Sequence, residues 1–136
     1  MENVHFGIGA GLVGRLPEPE PEEAFLRRLK YAFGLEVIRH TALRGKPVKT
    51  VALCGGAGSF LTKRAAAAGA DVYVTADVKY HEFFDAGERL VLADIGHWES
   101  EQFTIDLLHD LVAGKFPTFA VRKTSVRTNP LRYFLG

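Results

Sequence analysis

The chain has one cysteine, Cys54, so no disulfide can close within it and no pair of thiolates can hold zinc. Any metal it binds must be held by nitrogen and oxygen, and a cytoplasmic location is expected. It also lacks an excess of either charge. Lys and Arg total 17 against 16 Asp and Glu, which gives no net field to draw the chain to nucleic acid or to an anionic membrane. A small ligand is the expectation that remains. No stretch approaches the roughly 20 apolar residues of a membrane span, and Met1 is not followed by the basic and then apolar pattern of a secretory signal. There is no low-complexity tract. What is present, in 136 residues, suffices for a single domain with a core of its own.

Residues 1–21 are rich in Gly and Pro and read as an irregular leading segment. From Glu22 to Phe33 the apolar residues Phe25, Leu26, Leu29, Ala32 and Phe33 recur at helical spacing. Acids come first and bases later, as the helix dipole favours. Glu36–Thr41 has the composition of a strand, and Val48–Cys54 is an apolar run bounded by Pro47 and by glycines. The pattern then alternates. A helix over Ser59–Ala68, closed by Gly69, leads to a strand at Val72–Thr75. A second helix over Lys79–Arg89 leads to a strand at Leu90–Ala93. A third helix over Trp98–Val112, ended by Gly114, leads to a strand at Thr118–Val121. Three crossovers in series predict an α/β fold with a mostly parallel sheet and helices packed on it. The tail from Lys123 to Tyr133 has room for an edge strand, since Pro130 bars a central one.

In open α/β sheets, ligands sit at the carboxyl ends of the strands, and three loops are expected to meet there. The first, Cys54-Gly55-Gly56-Ala57-Gly58-Ser59, is either an anion cradle or a tight strand-to-helix turn. It matches neither the Walker motif nor the dinucleotide fingerprint. Cys54 beside it reads as a small buried hydrophobe. The second loop carries Asp77 and His81 four residues apart, and here Asp77 is either a helix cap or part of a site. The third, Asp94-Ile95-Gly96-His97, opens a helix that sets His97 and Glu101 four apart. That spacing serves a solvated surface pair as well as an imidazole and a carboxylate on one metal ion. Two acid and imidazole pairs at one rim favour a site over either pair alone. Asp94 either orients a ligating histidine or ends its strand. His5, His40 and His109 have no such company and read as ordinary surface residues.

The segments Val51–Gly58, Ala67–Thr75, Asp77–His81 and Gly96–Glu101 together resemble the C-terminal half of NIF-three-like proteins, known as GTP cyclohydrolase 1 type 2. Gly7-Ile8-Gly9, Leu16-Pro17-Glu18-Pro19 and Asn129-Pro130 also fit, so the likeness runs from about residue 6 to the end. The resemblance implies one lobe of a two-lobed α/β protein with a two-metal centre between the lobes, assembled as a ring-like hexamer. His97 and Glu101 match the family's C-terminal metal ligands; the metal would be iron, zinc or manganese. The paired histidines and the aspartate of the N-terminal lobe have no counterpart here, for the chain has no His-His sequence. Where the family commonly has Thr-Gly-Asp this chain has Thr75-Ala76-Asp77, a departure that keeps Asp77 and His81 in place as residues lining the site.

A catalytic metal site typically uses three protein ligands, so two are expected to bind weakly without the N-terminal lobe. The chain is therefore expected to be a fragment of a longer protein, or else to pair with a separate partner lobe, and to be inactive alone. The leading expectation for the whole is a metal-dependent hydrolase of a nucleotide-like or phosphorylated small molecule, with Asp77 or His81 moving protons. The alternatives are a metal-binding regulatory module that assembles with itself and with protein partners, and a lobe whose role is packing.

Overall fold

The computed structural model describes residues 9–136, and His5 with Gly7 and Ile8 lies outside the described residues. In chain order the elements are β1 (Leu12–Glu20), α1 (Glu22–Phe33), β2 (Arg39–His40) and β3 (Val48–Ala57). A 3₁₀ turn at Ser59–Leu61 then runs into α2 (Thr62–Ala67). After β4 (Val72–Ala76) come a 3₁₀ segment (Tyr80–Ala86), β5 (Val91–Asp94), α3 (His97–Glu101) and α4 (Thr104–Lys115). The chain divides into two compact units, residues 1–100 and 101–136.

The first unit is built on a five-stranded sheet of order β1-β3-β4-β5-β2. The three apolar runs pair in parallel as expected, β3 with β4 and β4 with β5. The two edges do not follow that expectation. Both β1 on β3 and β2 on β5 are antiparallel, so the α/β sheet is mixed and not mostly parallel. Nor is the leading segment irregular throughout, because β1 occupies nine of its residues. Its pairing with β3 is interrupted between Arg15 and Glu20, the stretch that holds Pro17 and Pro19. Prolines lack the N–H that a central strand needs, and an edge strand tolerates them.

Alternation along the strands makes two cores. Val51, Val72, Val74, Val91, Ala93 and Ile95 face α1, where Phe25 and Leu29 close over them. On the other face Ala52, Tyr73, Leu90 and Leu92 pack with Leu61 and Ala65. Full burial of each large apolar side chain contributes about 1.5–3 kcal/mol, which fixes the register of the central strands β3, β4 and β5. Helix α1 has the bounds its period predicts, with Glu22 and Glu23 first and Lys30 last. It ends at Gly34 in the left-handed region, where the N–H of Leu35 reaches back to the carbonyl of Lys30.

The later helices are shorter than expected. The segment predicted over Lys79–Arg89 is a 3₁₀ turn that stops at Gly87, whose φ is +54°. The helix predicted over Trp98–Val112 is interrupted at Gln102 and Phe103. In the second unit α4 buries none of its residues, and no strand forms at Thr118–Val121 or in the tail. Beside β5 the place for a further strand is already taken by β2.

A metal-site candidate at the carboxyl ends of the strands

The carboxyl ends of β3, β4 and β5 bring three loops of the first unit together, as the parallel pairing requires. Thr75 lies level with Asp94 in the β4–β5 register. The chain then runs two residues to Asp77 and three to His97, so the two side chains leave adjacent strands at nearly the same height. His97 Nδ1 donates to Asp77 Oδ2 at 2.6 Å, with both side chains about half exposed. A carboxylate on one ring nitrogen fixes the tautomer, the support that ligating histidines characteristically receive.

This pair replaces the helix-cap reading of Asp77. The side chain does not cap the segment that follows, because Glu82 accepts the N–H of Lys79 and Asp94 accepts the N–H of Val78. His81 lies exposed on the 3₁₀ segment, its ring edge-on to Tyr80 at 5.1 Å. Asp77 is also the one residue other than glycine with positive φ among the described residues, at +54°. Asp and Asn tolerate this region better than other side chains do.

Asp94 does not orient a histidine. It is buried, and its Oδ2 accepts from Arg39 at 2.6 Å and from Val78 N–H at 3.1 Å, while its Oδ1 accepts from Gly96 N–H at 3.1 Å. The glycine loop is braced from below and from the side. Thr75 Oγ1 accepts the N–H of Gly58 at 3.1 Å, and Tyr73 donates its hydroxyl to the Gly58 carbonyl at 2.7 Å. Burial pushes the Tyr73 hydroxyl up to about 12, opposed in part by its hydrogen bond to Thr75. Ser100 Oγ accepts the N–H of Gly56 and donates to the His97 carbonyl, both at 2.8 Å, which ties the glycine loop to the helix of His97. These hydrogen bonds brace the Gly55–Gly58 stretch, which runs from the end of β3 into the 3₁₀ turn.

His97 and Glu101 are the first and last residues of α3, and Glu101 is the first of the second unit. Among the described residues no group of three or more His, Cys, Asp or Glu side chains is placed to hold a metal ion. The supported imidazole is thus of the right chemistry for a metal, while the donor number falls short of a whole site. Sequence spacing had paired each histidine with the acid four residues away. Arg39 and Ser100 carried no signal of their own, beyond an arginine in a predicted strand and a serine one turn after His97.

An apolar cleft of about 370 Å³ runs between α1 and the strands β1 and β3 and reaches the rim at Gly55, Thr75 and Ser100. Leu12, Leu16, Phe25, Leu29 and Leu53 form its walls, and Arg15 and Arg28 stand at it. No described helix is long and apolar enough to cross a membrane.

Comparison with known proteins agrees with the resemblance read from the sequence. The chain is 35% identical over 128 residues to the GTP cyclohydrolase 1 type 2 homolog of Mycobacterium leprae, covering 90% of this chain and 33% of that protein. It is 31% identical over 133 residues to the homolog of Staphylococcus epidermidis, covering 92% and 35%. The chain thus spans about a third of the length of these relatives. Among solved structures, Staphylococcus aureus protein SA1388 matches with a TM-score of 0.84 at 26% identity, over 93% of this chain and 37% of that one. A Bacillus cereus protein related to NIF3 matches with a TM-score of 0.77 at 28% identity, over 93% and 36%. The family model for Duf34/NIF3 (NGG1p interacting factor 3) matches residues 2–130, and the chain belongs to that family.

Proposed function

We propose that this chain supplies part of a metal centre in a metal-dependent hydrolase, with His97 and Glu101 as ligands and the remaining ligands in an N-terminal lobe. One observation carries the reading: the 2.6 Å hydrogen bond from His97 Nδ1 to the Asp77 carboxylate. It holds the proton on Nδ1 and makes Nε2 the donor nitrogen, as metal coordination needs. A divalent ion of iron, zinc or manganese held there would supply Lewis acidity toward a substrate oxygen. Asp77 keeps the imidazole oriented, and His81, exposed on the following turn, would give or take a proton in the reaction. The names of the relatives point to a nucleotide, and the proposed substrate class is a nucleotide-like or phosphorylated small molecule. The compartment proposed is the cytoplasm.

The test pairs metal content with turnover in the protein that includes both lobes. Bound metal should disappear when His97 and Glu101 are both replaced by alanine, and hydrolysis of GTP, other nucleotides or phosphoesters should disappear with it. A metal-loaded protein that turns over none of them contradicts the hydrolase reading for those substrates.

The exposed apolar side chains of α4, Ile105, Leu107, Leu108 and Leu111, favour a second reading. In it the metal tunes assembly into a homo-oligomer, or binding to a protein partner, without turnover. The same double substitution would then change oligomeric state or partner binding; if both are untouched, this second reading loses its support.

A further inference from the structure

Arg39 lies in β2 directly opposite Asp94 of β5. Its guanidinium donates to Asp94 Oδ2 at 2.6 Å and to the carbonyl of Val78, and it lies over the Phe83 ring at 5.2 Å from the centroid. Asp94 meanwhile accepts the N–H of Val78 and the N–H of Gly96. Both backbone polar groups of Val78 are therefore held by the Arg39–Asp94 pair, and so is the N–H of the residue before His97. Val78 directly follows Asp77, whose positive φ is a conformation that persists in a non-glycine residue only where its surroundings enforce it. The Arg39 side chain is 57% exposed and the Asp94 carboxylate it pairs with is buried, so the clamp satisfies a buried charge at the two turns it joins.

We propose that Arg39 is a positioning residue for the His97 site. Acting through Asp94 and Val78, it keeps the Asp77 carboxylate on His97 Nδ1 and thereby sets which ring nitrogen faces a ligand. The inference rests on the reading of His97 as the group that meets a metal, and it adds a residue from β2, far from His97 in sequence.

The test uses the ¹⁵N-labelled chain at a pH where the imidazole is neutral, reading the ring nitrogens of His97 by long-range ¹H–¹⁵N spectra. Wild-type protein should show His97 protonated at Nδ1, and Asp77→Ala should give the released ring. Arg39→Ala should move the His97 ring shifts most of the way to the Asp77→Ala values, with amide signals far from the two turns unchanged. Arg39→Lys, which keeps a donor at this position, should restore most of the wild-type pattern. Ring shifts in Arg39→Ala that stay at wild-type values overturn the proposal. Should Arg39→Ala fail to fold, Arg39→Gln, which keeps part of the stem over Phe83, is read in the same way. Zinc titration of the same samples separates the two readings. A wild-type ring fixed on Nδ1 and released in Arg39→Ala supports the positioning role even if zinc leaves it unmoved, and that indifference to zinc counts against the metal role alone.

Discussion

Tyr73 and Gly58 show how the rim is held from beneath. The Tyr73 hydroxyl is buried and donates to the Gly58 carbonyl, and burial raises its pKa from 10.0 to about 12. Because the folded state holds this proton more tightly than the unfolded chain, its contribution to stability is complete below about pH 10 and is lost as pH rises toward 12. Tyr73→Phe should therefore flatten the alkaline fall in stability, measured by urea unfolding across that range. At neutral pH the same change should cost about 1 kcal/mol through the lost hydrogen bond. Gly58 has a different constraint. A Cβ there would lie 2.7 Å from the Tyr73 hydroxyl and 2.9 Å from Cys54 Cβ, so the glycine is required by close approach. Gly58→Ala should destabilise the fold by about 1–3 kcal/mol and loosen the 55–58 stretch. Neither effect was legible in the sequence, where Gly55, Gly56 and Gly58 read as a tight turn ahead of an anion cradle. The pairing of Asp77 with His97 was hidden for a related reason. The two are 20 residues apart, and only the β4–β5 register sets them at one height.

At the scale of elements, the parallel strands and α1 were plain in the sequence because burial on two faces leaves continuous apolar runs, and burial on one side leaves a helical period. The edges were legible only in part. Strand β2 falls within the strand expected at Glu36–Thr41, although only Arg39–His40 pair, whereas β1 contains two prolines and exposes most of its residues, so it carries no apolar pattern. The predicted strand at Thr118–Val121 had the composition of one, and none forms there. The strands are also tied at the end away from the site. Asp71 Oδ2 accepts the N–H groups of Lys49 and Thr50 at 2.9 and 2.8 Å, fixing the start of β4 to the start of β3. Asp71→Ala leaves both donors without this partner and should cost about 1–3 kcal/mol in chemical denaturation. The His97 tautomer should be unchanged, since the site lies at the opposite ends of the strands.

For the whole molecule, the relevant fact is that the chain covers about a third of the relatives it matches while keeping the braced histidine at the rim. In the second unit α4 buries no residue, and in the first an apolar cleft borders α1. Such surface should favour self-association of the chain made by itself, seen in sedimentation velocity as a weight that rises with concentration; a monomer across the accessible range would contradict this. The family could be read from the sequence because the Gly loop, Asp77–His81 and Gly96–Glu101 stand in order. The number of metal donors could not, because the proposed donors of an N-terminal lobe would leave no trace in these residues. The most direct measurement is therefore elemental analysis of the chain alone, of the protein with its N-terminal lobe present, and of each with His97 and Glu101 replaced by alanine. Stoichiometric metal in the two-lobed protein, little in the chain alone and none after the double substitution is the predicted result. Metal retained in full after His97 and Glu101 are gone, or absent from every form, would contradict the account.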